Sequence, residues 1–297
     1  MKRYSLWWDT IHPDFSYQTQ LPNNADIIII GAGFAGISTA YWLSHFLENK
    51  KPKIIIVDEA PHAAFKSSGR MNGSAYIGSN LLPSMMVNAL GEDVAKKLYY
   101  YGVANNILLS NVLTNFQSHS EFNGGLRVSS TTKEANDLED SKDFLLKIGL
   151  SAKIFNAEQT QHLAIMPFAK NSLFIPGEGL FNPFSLINNM ARELRNKNTW
   201  IVYGAQIVEA SNTLLNNKPY IRLKNGHSIT AEKIIHSTTH TIPKSLKINY
   251  TREAALSTEP LMDDLDDMPL PLMPIEFNNG LDSARIYNRM IIMTGGK

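Results

Sequence analysis

The most constraining feature of this chain is the spacing of Gly31, Gly33 and Gly36 directly after an isoleucine run at residues 27–30. The β-branched run predicts a strand that is buried on both faces of a parallel sheet. Apolar residues at helical spacing follow the glycines and predict a helix. In such a turn Gly31 permits the sharp bend, Gly33 lets a pyrophosphate approach the backbone, and Gly36 allows close packing of helix on strand.

A second buried strand is predicted in the segment at residues 53–60 and ends in two acids, Asp58 and Glu59. The separation from Gly33 to Asp58 is near the ~20 residues expected for a carboxylate that binds an adenosine ribose. Glycines at this spacing alone would equally suit a turn without a ligand, but strand, turn, helix, strand and acid together predict a dinucleotide-binding unit. Either acid could bind the ribose, and Asp58 is the first choice because it follows the strand directly.

The same stretch, residues 25–43, has an alternative interpretation as a membrane span. Its apolar run of about 17 residues lies at the lower limit for crossing a bilayer. It also contains three glycines, Ser38 and Thr39. Periodicity and flanking residues favour the strand and helix, so no membrane span is expected.

Composition excludes several classes of function. The chain has no cysteine, which excludes disulfides, thiolate metal sites and a cysteine nucleophile, and which fits a cytoplasmic location. The net charge of +1 gives no reason to expect nucleic acid. His236 and His240 are four residues apart but flank a predicted strand end, where their side chains do not converge, so no metal site is predicted.

Later segments carry further structural signals. Residues 84–116 predict helix with breaks at Gly91 and Gly102, and residues 200–210 predict one strand. Asn182 and Pro183 predict a helix start, and the Asn225–Gly226 pair predicts a type I′ hairpin.

The loop at residues 61–80 bears on which dinucleotide binds. It does not look like a third βα unit, and its small residues and guanidinium would suit an extended flavin dinucleotide. By composition alone it is equally a polar loop. Its polar and small residues include Ser67, Ser68, Gly69, Arg70, Asn72, Gly73 and Ser74.

At this point the chain resembles a known family. "ADIIIIGAGFAGISTAYWL", "VDEA" and "SSGRMNGS" are similar to segments of FAD-dependent amine and amino-acid oxidases related to D-amino-acid oxidase, glycine oxidase and sarcosine oxidase. The opening "SLWWDT" resembles gamma-glutamylputrescine oxidase-like members. The resemblance continues through "GGLRVSS", "FIPGEGLFNPF" and "ITAEKIIHSTTH", and so covers nearly the whole chain.

The resemblance implies an α/β fold class. A Rossmann-like FAD-binding domain with a parallel sheet is expected at residues 1–85 and 180–243. An α+β substrate domain with a mixed or antiparallel sheet is expected at residues 86–179 and 244–297. The cofactor would be FAD, and the reaction would be hydride transfer to the flavin during oxidation of the C–N bond of a small amine or amino acid.

The resemblance also implies a set of cofactor-binding residues, although it names no catalytic residue. The backbone at Ile207 would hold the adenine, and Ser237 and Thr238 would lie beside the cofactor. The full set is Gly31, Ala32, Gly33, Phe34, Ala35, Gly36, Asp58, Glu59, Ser67, Ser68, Gly69, Arg70, Asn72, Gly73, Ile207, Ser237 and Thr238.

The chain departs from the family pattern in two places. Met71 interrupts "GRMNGS", which displaces either Arg70 or Asn72 from its usual place. The chain also ends at "ARIYNRMIIMTGGK", before the last strand and helix of the family's FAD domain. The alternative hypothesis is therefore a truncated, non-catalytic remnant, or an N-terminal piece of a split flavoenzyme that a second chain completes. A tRNA-modifying flavoenzyme is a weaker alternative because the net charge is near zero.

Overall fold

The structure, a computed structural model, describes residues 5–13, 21–79, 81–164, 166–215, 218–238, 254–260 and 272–295. The chain forms two compact units. The first unit comprises Met1–Met71 and Asn182–Ile248, and the second comprises Asn72–Phe181 and Asn249–Lys297.

The α-helices of the described residues are α1 (Phe34–Phe46), α2 (Pro83–Leu90), α3 (Glu92–Asn115), α4 (Thr132–Lys147), α5 (Ala157–Ala164) and α6 (Pro183–Leu194). The strands are β1 (Asn24–Ile30), β2 (Ile54–Val57), β3 (Ser74–Ala75), β4 (Ser120–Glu121), β5 (Gly125–Ser129), β6 (Lys153–Phe155), β7 (Asn171–Ile175), β8 (Gly179–Phe181), β9 (Thr199–Val202), β10 (Ile207–Leu215), β11 (Lys218–Leu223), β12 (Ser228–His236), β13 (Ala254–Ser257), β14 (Ile275–Phe277), β15 (Asp282–Tyr287) and β16 (Met290–Gly295). None of these helices has the length and apolar character needed to cross a membrane.

A six-stranded sheet in the order β10-β11-β12-β1-β2-β9 forms the centre of the first unit. Strands β12, β1, β2 and β9 run parallel, and β10 and β11 join them as an antiparallel pair. Ile30 pairs with both Val57 and His236, and Val57 pairs with Val202. The four parallel strands therefore end at one edge of the sheet, which confirms the predicted α/β class.

Burial explains why these segments form the sheet. The side chains of Ile28, Ile29 and all four residues of β2 are fully buried. Strands with both faces covered read as continuous apolar runs rather than alternating patterns. Helices α1 and α6 pack against each other in this unit. Helix α6 begins as predicted, since Asn182 caps it by accepting a hydrogen bond from the Ser185 amide and Pro183 occupies its first turn.

The second unit contains a seven-stranded sheet in the order β13-β16-β15-β14-β5-β7-β6. Strands β14 and β5 are parallel, and the other neighbours are antiparallel. A smaller antiparallel sheet has the order β3-β8-β4. The predicted mixed sheet is confirmed, and its interior also holds a buried group of charges.

That buried group is centred on Arg127 in β5. Its guanidinium donates to both oxygens of Glu178, at 2.7 and 2.8 Å, and pairs with Glu276 at 2.5 Å. The ring of Tyr76 lies 4.4 Å from the guanidinium carbon. Burial acts to lower the pKa of Arg127, but the two carboxylates outweigh it and raise the pKa. The guanidinium therefore stays charged and joins β5, β14 and the loop before β8.

Three local predictions were wrong. Helix α3 runs through Gly102, where a side chain would lie 2.6 Å from the Gly78 nitrogen, so the glycine serves close packing instead of a break. Residues 200–210 form two strands, because the chain turns at Gly204, where φ is 67°. At the hairpin only Gly226 has a positive φ, so the turn is not type I′. Instead, the Gly226 amide donates to the Leu223 carbonyl and the Leu223 amide donates to the His227 carbonyl, which is the pattern of a type I turn with a bulge.

The buried charges predict that loss of Arg127 destabilises the protein much more than loss of Arg222. Replacing Arg127 with alanine leaves Glu178 and Glu276 buried without their partner, and we expect a loss of about 3–5 kcal/mol in the free energy of unfolding. Arg222→Ala is the control, because Arg222 pairs with Glu209 at the surface and its loss costs less than about 1 kcal/mol. Denaturant titration measures both values. Equal losses would show that the buried group does not hold the sheet.

Candidate cofactor-binding site

A pocket of about 410 Å³ lies at the carboxyl edge of the parallel strands of the first unit. Its walls come from the segments that follow β1, β2 and β12, and from the turn between β9 and β10. Ligands of open parallel sheets bind at this edge. The lining residues are Ile30, Gly31, Ala32, Gly33, Phe34, Ala35, Val57, Asp58, Glu59, Ala60, Ala64, Phe65, Lys66, Ser67, Ser68, Ala205, Ile207, Ser237 and Thr238.

The glycine turn has a steric requirement at each glycine. Gly31 has φ of 109°, and a side chain there would lie 2.9 Å from the Ser237 carbonyl oxygen. A side chain at Gly36 would lie 1.9 Å from the Gly31 oxygen, so α1 could not approach the end of β1. A side chain at Gly33 would lie 2.9 Å from the Ser68 hydroxyl oxygen. Gly33 therefore keeps open the space between α1 and the loop that carries Ser68.

Asp58 braces this turn through its carboxylate. One oxygen accepts from the Ala32 amide at 2.6 Å, and the other accepts from the Ala60 amide at 2.8 Å. The backbone of Asp58 also accepts from Ala205 at 3.0 Å, which brings the β9–β10 turn to the same edge. Glu59, by contrast, has a side chain that is 55% exposed and pairs with Lys66. The two adjacent acids thus occupy different environments.

Ser68 connects the following loop to the start of α1. Its hydroxyl oxygen accepts from the Phe34 amide at 2.9 Å. A hydroxyl that accepts one hydrogen bond can donate its proton to another group. The first turn of α1 also has backbone N–H groups without partners inside the helix, and it contains no acidic residue. This end of the helix favours an anion through its dipole and its amides.

His62 lies behind the pocket, in contact with the rings of Trp8, Phe65 and Phe184. Burial lowers its pKa, although the Ala63 carbonyl and Asp58 act in the opposite direction. The imidazole is therefore neutral at pH 7. Because Nδ1 lies 2.8 Å from the Ala63 oxygen, the proton of the neutral ring belongs on Nδ1, where it donates to that carbonyl.

Five of the predicted cofactor residues do not line the pocket: Gly36, Gly69, Arg70, Asn72 and Gly73. Gly36 packs beneath the turn, Gly69 is buried against Ala64, and Arg70 lies 5.2 Å above the ring of Trp8.

Asn72 and Gly73 belong to the second unit. There the Asn72 amide donates to Ser283 at 2.9 Å, and both backbone carbonyls accept from Arg285. Met71 separates the two groups, and its carbonyl accepts from the Trp7 indole at 2.8 Å. Arg70 and Asn72 thus lie in different units.

The sequence reasoning missed part of the lining. The strand ends Ile30 and Val57 and the turn residue Ala205 carry no motif, and pairing of the strands brings them to the pocket. Ala64, Phe65 and Lys66 lie in the loop at residues 61–80, where no residue type marks them. They reach the pocket because the backbone folds back at Ala64, where φ is 56°, and the Ala64 amide donates to the Ala32 carbonyl at 3.0 Å. The missed residues are Ile30, Val57, Ala60, Ala64, Phe65, Lys66 and Ala205.

The donors and acceptors of the pocket fit the nucleotide half of FAD. The start of α1 and the Ser68 hydroxyl suit a pyrophosphate, and the acids at the end of β2 suit a ribose. Any side chain at position 33 would fill the space between α1 and the loop that carries Ser68. The described residues contain no cluster of three possible metal ligands. His240, weighed with His236 as a ligand pair, lies outside the described residues.

Comparison with known families agrees with this fit. The family model described as "DAO: FAD dependent oxidoreductase" matches residues 26–294. The chain belongs to this family. The matched family is one of FAD-dependent oxidoreductases, and membership in it implies FAD as the cofactor.

Two curated relatives are about a quarter identical to the chain over the aligned residues. A probable oxidoreductase of Haemophilus influenzae is 24% identical over 295 residues, covering 93% of this chain and 64% of the relative. A mouse FAD-dependent oxidoreductase domain-containing protein is 24% identical over 223 residues, covering 68% of this chain and 40% of the relative. The chain therefore spans less than two thirds of the length of either relative.

Solved structures of the same fold include three that are named for different activities. Glycine oxidase from Geobacillus kaustophilus has a TM-score of 0.73 at 13% identity, covering 93% of this chain and 73% of that one. L-Proline dehydrogenase from P. horikoshii has a TM-score of 0.70 at 13% identity, covering 93% and 72%. FAD-bound L-α-glycerophosphate oxidase from Mycoplasma pneumoniae has a TM-score of 0.68 at 16% identity, covering 93% and 73%. At these identities the likeness shows the fold.

The contacts of Gly33 and Gly36 predict different outcomes for their alanine variants. Gly33→Ala places a methyl group against the Ser68 side chain, which can rotate away, so we expect a folded protein that binds FAD at least roughly tenfold more weakly. Gly36→Ala places the methyl group against backbone, so we expect loss of folding. Flavin fluorescence titration and circular dichroism measure the two effects. A Gly33→Ala protein with wild-type affinity would contradict the assigned space.

Proposed function

We propose that the protein oxidises the C–N bond of a small amine or amino acid, with FAD as the hydride acceptor. The substrate would lose a hydride from carbon and a proton from nitrogen, and the resulting imine would be hydrolysed by water to a carbonyl compound and an amine. The observation that carries the proposal is the pocket at the carboxyl edge of the first sheet, whose glycine turn, braced acid and serine fit FAD.

The substrate class has separate support from the names of the structural neighbours. Glycine oxidase, L-proline dehydrogenase and the L-amino acid deaminase of Proteus vulgaris are all named for amino acids. The Mycoplasma pneumoniae neighbour is named for glycerophosphate, which has no C–N bond to oxidise. Amino acids are therefore the first substrates to test.

Within the pocket, the residues of the chain would bind and orient the cofactor. The amides at the start of α1 and the hydroxyl of Ser68 would hold the pyrophosphate, and the backbone near Ile207 would hold the adenine. Ser237 and Thr238 would lie beside the cofactor at the end of β12. FAD, when bound, would supply the electron-accepting ring. We assign the first unit to the cofactor and the second unit to the substrate.

The two acids after β2 would have separate roles. Both carboxylate oxygens of Asp58 already accept backbone N–H bonds, so Asp58 would brace the turn. Glu59 is exposed at the pocket wall, and it would exchange its contact with Lys66 for the ribose hydroxyls. This assignment reverses the first choice made from sequence, which was Asp58.

Matched amide variants distinguish the two roles. Glu59→Gln should weaken FAD binding by roughly tenfold with an unchanged melting temperature, because charge-assisted hydrogen bonds contribute about 1.5–3 kcal/mol and surface changes affect stability little. Asp58→Asn places an amide group against a backbone N–H, so it should lower the melting temperature as well. Fluorescence titration and thermal unfolding report both quantities. If Asp58→Asn weakens FAD binding without lowering the melting temperature, and Glu59→Gln leaves affinity unchanged, then Asp58 and not Glu59 binds the ribose.

Anaerobic flavin reduction tests the proposed reaction. The chain is purified with FAD and mixed without oxygen with glycine, proline, other amino acids and simple amines, and glycerol 3-phosphate serves as the non-amine control. Loss of the visible flavin absorbance with an amine supports the proposal. Reduction by glycerol 3-phosphate alone would replace it with oxidation of a C–O bond. If the flavin-loaded protein is reduced by none of the amines tested, the proposal is overturned.

The cytoplasmic location remains a prediction, and it rests on the absence of cysteine. A second chain that completes the protein has no support from the comparisons.

A further inference from the structure

We infer that the segment Ser5–Thr10, here named the clamp, positions the loop at residues 65–71, here named the cofactor loop, for FAD binding. Both segments belong to the first unit. The clamp contains a short 3-10 helix at Leu6–Asp9, and the cofactor loop contains another at Ser67–Gly69. This role concerns loading of the cofactor, so it is independent of which substrate is oxidised.

Two hydrogen bonds, one buried and one partly buried, join the clamp to the cofactor loop. The hydroxyl of Ser5 donates to the Gly69 carbonyl, and the indole of Trp7 donates to the Met71 carbonyl at 2.8 Å. Ser5 is 6% exposed and Trp7 is 3% exposed. Because water cannot readily replace either donor, a carbonyl that loses its partner is costly. The two bonds therefore favour one conformation of the loop.

Ring contacts add a second connection. Trp8 stacks on Phe65 with ring centres 4.9 Å apart and planes 11° apart. The guanidinium of Arg70 lies 5.2 Å from the Trp8 ring. Phe65 and Arg70 stand at opposite ends of the cofactor loop, so one indole contacts both ends. Offset aromatic stacking and cation–π contacts both add to the energy of simple burial.

The clamp is itself attached to a helix. The Thr10 hydroxyl donates to the Trp7 carbonyl at 2.6 Å and accepts from the Asn182 amide at 2.8 Å. Asn182 is also the cap of α6, where its side-chain oxygen accepts from Ser185. The clamp thus holds the cofactor loop in a fixed relation to α6.

Ser68 is the residue that this arrangement would position. Ser68 directly precedes Gly69, and the Gly69 carbonyl accepts the hydrogen bond from the clamp. The hydroxyl oxygen of Ser68 accepts from the Phe34 amide at the start of α1. A side chain at Gly69 would lie 2.0 Å from the Ala64 oxygen, so the loop has little room to shift. Ser5, Trp7 and Trp8 do not line the pocket, so they act through the loop. Ligand affinity falls in proportion to the population of the competent conformation, which the clamp raises.

Affinity measurements on the full 297-residue chain test this role. Ser5→Ala and Trp7→Phe each remove one donor and keep most of the side-chain volume. We expect each to weaken FAD binding by roughly three- to tenfold, measured by flavin fluorescence at a temperature where every variant is folded. Trp42→Phe is the matched control, since Trp42 contacts Tyr41, His45 and Phe46 away from the pocket. The control should bind FAD as the wild type does.

Amide exchange in the FAD-free chain gives a readout that does not require catalysis. The Gly69 and Arg70 amides, which bond to Lys66 and Ser67, should exchange faster in Ser5→Ala and Trp7→Phe than in wild type or Trp42→Phe. Faster exchange with weaker FAD binding supports the clamp. Wild-type affinity and exchange in both variants would overturn it. A lowered melting temperature with wild-type FAD affinity would also overturn it, because the segment would then only support the fold.

Discussion

The register of four parallel strands is the constraint on which the rest of the first unit depends. Ile30, Val57 and His236 lie at matching positions in β1, β2 and β12, so Gly31, Asp58 and Ser237 follow at one edge. These residues then contact one another across the edge. The Asp58 carboxylate accepts from the Ala32 amide, and the Ser237 hydroxyl donates to the Ile30 carbonyl. Gly31 has no side chain and so leaves space for Ser237. A slip of one residue in any strand would separate them. The pocket is a consequence of strand pairing as much as of the motif residues.

The sequence was sufficient for the parts of this arrangement that depend on local rules. The isoleucine runs predict buried strands, the glycines predict the turn before α1, and Asn182–Pro183 predicts a helix start; the structure contains all three. The resemblance to the oxidase family implied FAD and one sheet in each domain, and the structure adds a third, smaller sheet, β3-β8-β4. The errors occurred where tertiary contacts decide. Gly102 reads as a helix break in sequence, but in the structure it is the point at which α3 meets Gly78.

The site could be predicted only in part for the same reason. Gly33 and Ser68 are 35 residues apart and their contact follows from folding of the loop, and Ala205 reaches the pocket because its amide bonds to the Asp58 carbonyl. No sequence spacing distinguishes Asp58 from Glu59, which are adjacent. Their difference comes from the direction of each side chain: one faces the backbone of the turn, and the other faces solvent beside Lys66. Similarly, "SLWWDT" marks a likeness in sequence, whereas its contacts with residues 65–71 required the structure.

FAD binding across the carboxyl edge of the first sheet should change amide exchange at two segments of that edge. We expect hydrogen–deuterium exchange of the 297-residue chain to slow on addition of FAD at the amides of Phe34–Gly36, where α1 begins, and of Ala205–Ile207, in the turn before β10. If FAD binds and both segments keep their original exchange rates, the cofactor occupies a different part of the molecule.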